Sequence, residues 1–120
     1  MFDEFRSCYN KLQFFDNIIE HIIQKIGSRK VLAGKEKQDT QGLLKELKGE
    51  LKKDCDFMSK VNVRGTLSDI DKYFYYPTIQ KARSCIRVKV NTIPNQIWAA
   101  QLYEAQIEIR HCMEEIENYL

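Results

Sequence analysis

The chain has 120 residues, 43% of them hydrophobic and 30% charged, with a formal net charge of +2. That composition excludes a disordered tail, and no apolar run reaches the roughly 18 residues of a membrane-spanning helix. Only 5 Gly and 2 Pro speak against a turn-rich β-sandwich and for long helices in a single domain over 1–120. The first residues, Met1 to Phe5, lack a basic and then apolar leader pattern, so a cytoplasmic location is expected.

In the first segment Phe5, Cys8, Leu12, Phe15, Ile19, Ile22 and Ile26 alternate spacings of 3 and 4, the seam of an amphipathic helix. Gly27 and Ser28 stop it. A basic loop from Ser28 to about Gln38 is expected to carry Arg29, Lys30, Lys35 and Lys37. Asp39 or Thr40 then serves as a cap for a second helix. Leu44, Leu47, Leu51, Cys55 and Met58 form its buried stripe, and its lysines alternate with acids as a salt-laced outer surface.

Gly65-Thr66 opens the third segment, with Thr66 and Asp69 at capping-box spacing. Leu67, Ile70, Phe74, Ile79, Ala82 and Ile86 follow a helical period, and Pro77 predicts a kink or short break near Tyr76. Thr92, just before Ile93-Pro94, marks a fourth start. The last seam is Trp98, Leu102, Ala105, Ile109, Cys112, Ile116 and Tyr119. The whole predicts an all-α, antiparallel up-and-down bundle of about four helices, the third kinked at Pro77. The competing reading is α+β: Val61-Asn-Val63 and residues 86–90 alternate apolar and polar side chains and would pair as a short ribbon.

Catalytic patterns are missing. The chain carries no phosphate loop, GxSxG, HExxH or GxGxxG. Glu108 and His111 have the spacing used by di-iron bundles, but the second pair is absent and His111 points away from the seam. The four cysteines at 8, 55, 85 and 112 form no CxxC pair and read as reduced, buried thiols. No enzyme, metal or cofactor is expected.

Charge is uneven. Residues 65–92 hold Lys72, Lys81, Arg83, Arg87 and Lys89 against Asp69 and Asp71, a balance of +3. Residues 93–120 hold five glutamates against Arg110, a balance of −4, so the two segments are expected to pair in part with each other. On a regular helix Lys72, Tyr76, Gln80, Arg83 and Arg87 line one side, beside the aromatic run Tyr73 to Tyr76. Basic residues interleaved with aromatics suit a nucleic-acid backbone and its stacked bases, and Arg29, Lys30, Lys35 and Lys37 would extend that surface.

A short, helical, mildly basic chain without motifs resembles the small subunit of multi-subunit CRISPR effector complexes. The resemblance covers the whole chain in size and helical character. It implies a helical bundle that contacts RNA or single-stranded DNA through Lys and Arg, as an accessory subunit in antiviral defence. The chain is similar at the same level to the helical accessory proteins of reverse-transcriptase elements. The alternative is a protein-interaction bundle that binds other subunits or itself: an oligomerising adaptor, an immunity protein or a phage-encoded inhibitor.

Overall fold

The computed structural model describes residues 2–27, 34–86 and 95–120. Helix α1 spans Phe2–Ile26, α2 Gly34–Val63, α3 Tyr76–Cys85 and α4 Asn95–Glu117, and a π-helical turn, Asp71–Tyr75, leads directly into α3. Among the described residues there is no strand. The chain is an all-α bundle whose helices form a ring: α1 packs on α2 and α4, and α3 packs on the other sides of α2 and α4.

The seams drive this arrangement. Every seam residue of α1 is buried, with Ile23 added to them, and so are Leu44, Leu47, Leu51, Cys55 and Met58 of α2. On α4 the seam is buried from Trp98 to Ile116. Tyr119 lies just past the helix end and is half exposed, yet its ring stacks on Phe5 at 4.6 Å. Stability here comes from the apolar area these stripes remove from water, about 25 cal/mol per Å², more than from helix propensity.

A polar ladder fixes the register of α1 against α4. The Tyr9 hydroxyl donates to Glu117 at 3.1 Å, Arg110 donates to Asp16 at 2.9 Å, and the Gln106 amide donates to Glu20 at 2.8 Å. In each pair the two residue numbers add to 126, the signature of antiparallel helices in one unbroken register. Gln106 is buried, so its amide needs this partner. The Gln106 and Gln24 amides both donate to the Glu20 carboxylate and hold its pKa below the ordinary value.

Several local expectations change. Helix α2 starts at Gly34, so Lys35 and Lys37 belong to its exposed first turn and not to a loop. Thr40 sits inside that helix, buried, its hydroxyl donating to the Glu36 carbonyl at 2.8 Å. At the other end α2 runs through Val63, which removes residues 61–63 from any ribbon; residues 87–90, the rest of its second strand, lie outside the described residues. Gly65, at φ 73°, then reverses the chain. Its N–H meets the Asn62 carbonyl and that of Thr66 meets Val61, a Schellman stop. The third helical segment is capped by Ser68, not Thr66: the Ser68 hydroxyl accepts the Asp71 N–H at 3.2 Å.

The irregularity expected near Tyr76 is present, although the chain does not break there. The irregularity is the π turn just before it, where the Tyr76 N–H reaches back five residues to the Asp71 carbonyl. The cause is legible in the buried set: Ile70, Tyr75, Ile79, Ala82 and Ile86 are spaced 5, 4, 3 and 4. A regular helix cannot place Ile70 and Tyr75 on one stripe; one wide turn does. Tyr75, and not Phe74, is therefore the fully buried ring. Phe74 packs at the bundle end, edge-on to Phe5 and Tyr119. The Phe74 carbonyl accepts the Thr78 hydroxyl at 2.7 Å and the Cys112 thiol at 3.6 Å.

Candidate nucleic-acid interface

The expected basic face is only partly assembled. Tyr76, Gln80 and Arg83 line one depression between α2 and α3, of about 420 Å³, opposite Cys55, Asp56 and Ser59. Lys72 does not line it. The π turn breaks the regular spacing between Lys72 and Gln80, and the Lys72 ammonium lies 5.6 Å from the centre of the exposed Tyr73 ring. Lys35 and Lys37 stand exposed at the start of α2. Arg87, Arg29 and Lys30 fall outside the described residues.

Arg83 also lines a second depression with Lys48, Gly49, Leu51, Lys52 and Ile86. It thus stands at the border of both. Among the described residues that line the two depressions, the charged ones are Lys48, Lys52, Arg83 and Asp56, three cations to one acid. Lys48 and Lys52 are one helical turn apart, about 6 Å along the axis. The sequence pattern of α2 offered no way to single them out. Their significance comes from α3 lying alongside, which periodicity within one helix cannot report.

Arg83 stands beside the Cys55 thiol: burial pushes that thiol's pKa up, and the neighbouring Arg83 charge opposes the shift. The acids of α4 are not its partners. Among the described residues the complementary charges of segments three and four do not neutralise each other; Arg110 of α4 turns instead to Asp16 and Glu20 of α1. Lys72, Lys81 and Arg83 stay exposed.

On the opposite flank of α2 the chemistry differs. A polar cluster joins α1, α2 and the π turn: Lys11 pairs with Asp71 at 3.2 Å and stands over the Tyr75 ring at 4.2 Å. The Tyr75 hydroxyl donates to Asp54. Burial, and then the Asp54 carboxylate, push the phenol's pKa well above its ordinary value. This phenol is a structural donor and not an acid–base group near neutrality.

His111 points outward, as its place off the seam predicts, and pairs with Glu115 at 3.4 Å. Among the described residues no group of three or more His, Cys, Asp or Glu is placed to hold a metal ion, and no helix is long and apolar enough to cross a membrane. Compared with models of protein families, with curated proteins and with solved structures, the chain matches none.

Proposed function

We propose that this protein is a non-catalytic accessory subunit of a nucleoprotein complex, holding the backbone of RNA or single-stranded DNA along the α2–α3 groove. One observation carries the reading: Lys48, Lys52 and Arg83 line a single depression, and Arg83 also lines a second one with Tyr76 and Gln80. Cations one turn apart track successive phosphates, the half-buried Tyr76 ring offers a stacking face, and the Gln80 amide offers hydrogen bonds of either sense. The small helical subunits of CRISPR effector complexes exemplify such a role, and antiviral defence is its proposed setting.

The test is fluorescence anisotropy of a labelled single-stranded oligonucleotide over a salt series. Affinity should fall log-linearly with salt. Lys52→Glu and Arg83→Glu should each weaken binding of all sequences alike and reduce the slope by about one. Absence of binding to any RNA or DNA at low salt, or binding unaffected by both reversals, would refute the proposal.

A further inference from the structure

The flank of α2 beside α1 carries a second stripe at heptad spacing, separate from its buried seam; at its start Glu46 and Glu50 border a depression shared with Phe14, Ile18 and His21 of α1. Glu46, Glu50, Lys53, Phe57, Lys60 and Arg64 follow one another at 4, 3, 4, 3 and 4 residues. Arg64 sits in the first turn after the helix, its N–H still bonded to the Lys60 carbonyl. All six lie on the surface, Glu50 half-buried and the Phe57 ring 61% exposed. The expected salt-laced surface is not realised along this stripe: among the described residues, neither Glu46 nor Glu50 forms an ion pair, and neither do Lys53, Lys60 and Arg64.

The order of charges is what gives the stripe a partner. Its two acids come first, and every charge after them is basic. Glu46 and Glu50 are four residues apart, and so are Lys60 and Arg64, spacings at which like charges destabilise an isolated helix. A parallel copy would place acid on acid. An antiparallel copy about a two-fold axis places Glu46 against Arg64, Glu50 against Lys60, and Lys53 against the Phe57 ring, each contact occurring twice. These are the cross-pairs that antiparallel heptads make. The central Lys–Phe pairs cover the exposed ring and add a cation–π contact. The stripe spans about 30 Å at 1.5 Å per residue, most of the 47 Å length of the molecule.

We infer that a second copy of this chain docks antiparallel along this flank of α2, forming a two-fold symmetric dimer held by these six side chains of each copy. The inference does not rest on the nucleic-acid reading. The basic groove uses Lys48 and Lys52, which face α3, and it stays open in the dimer.

The test uses the full chain and two double variants, Glu46→Lys/Glu50→Lys and Lys60→Glu/Arg64→Glu. Sedimentation velocity of the wild type should show a monomer–dimer equilibrium in the micromolar range that weakens with salt. Each variant alone places like charges across the axis and should dimerise about a hundredfold or more weaker. Mixed in equal amounts, the two become complementary at all four charge positions and should form a one-to-one heterodimer. Recovery on mixing also shows that both variants are folded, as does circular dichroism of each. A wild type that stays monomeric at high micromolar concentration and low salt overturns the inference. So does a dimer that survives either charge reversal, or folded variants that fail to combine.

Discussion

Deleting Tyr73 should leave the bundle folded, whereas deleting one residue from the middle of α1 should destroy it. Removing Gln13 rotates Phe15, Ile19, Ile22 and Ile26 by about 100° relative to Phe5, Cys8 and Leu12. All four lie in the core, and each is worth about 1.5–3 kcal/mol of burial, so their displacement exceeds much or all of the ~5–15 kcal/mol that holds such a domain together. In the π turn the same deletion does the reverse. It shortens the gap between Ile70 and Tyr75 from five to four, the spacing a regular helix already satisfies. Asp71 keeps its place after Ile70 and its bond to Lys11, and Phe74 keeps its place before Tyr75. Tyr73 is 66% exposed, so little packing goes with it. The remaining cost is Pro77, which the wide turn accommodates and a regular helix would not, at about 3 kcal/mol. The deletion alone should therefore lower Tm by roughly 10–20 °C. Combining it with Pro77→Ala should recover most of that loss. Thermal melts followed by far-ultraviolet circular dichroism and by Trp98 fluorescence measure this. If the Tyr73 and Gln13 deletions prove equally destructive, the five-residue spacing is not what the π turn serves.

Two further outcomes follow from buried polar groups. Tyr75→Phe removes a donor from the partly exposed Asp54 carboxylate but keeps the ring under Lys11, so urea denaturation should show a loss of about 1.5 kcal/mol; no loss would mean that water replaces the bond at no cost. The Cys8 thiol is pushed up to about 12, by burial first and then by nearby Cys112, against 9.0 for the ordinary group. The unfolded chain thus ionises before the folded one. This contribution to stability is complete below pH 9 and is lost as pH rises toward 12, with Tyr75 acting in the same direction. The urea midpoint should fall across that alkaline range, and Cys8 should resist iodoacetamide until the chain unfolds; a flat profile with rapid alkylation of Cys8 in the native protein would contradict both.

The helical seams were legible in the sequence because 3,4 spacing reports one face of one helix directly. What escaped was of two kinds. The first turn of α2, Gly34 to Lys37, has no apolar side chain to set a phase, so its helix start was placed near Asp39. The π turn was hidden because a strict 3.6-residue period from Ile70 lands on Phe74; the five-residue step to Tyr75 shows only when the phase is traced backwards from Ile86. The basic face was half legible for the same reason. Gln80 and Arg83 follow the regular part of the helix and share a groove with Tyr76, whereas Lys72 lies on the far side of the extra residue. Lys48 and Lys52 depend on which helix lies next to α2, and that is decided by the packing of the whole ring.

The clasp of Phe5, Phe74 and Tyr119 brings the first turn of α1 and the residues just past α4 to one pole of the molecule. A short bridge would therefore suffice to join Phe2 to Leu120, with new ends cut in the tight reversal at residues 64–68. Such a circular permutant would run α3, α4, α1, α2, with each helix keeping its neighbours. Fluorophores attached beside Phe5 and Tyr119 would likewise report on that same pole, and their separation would be an early signal of mechanical opening.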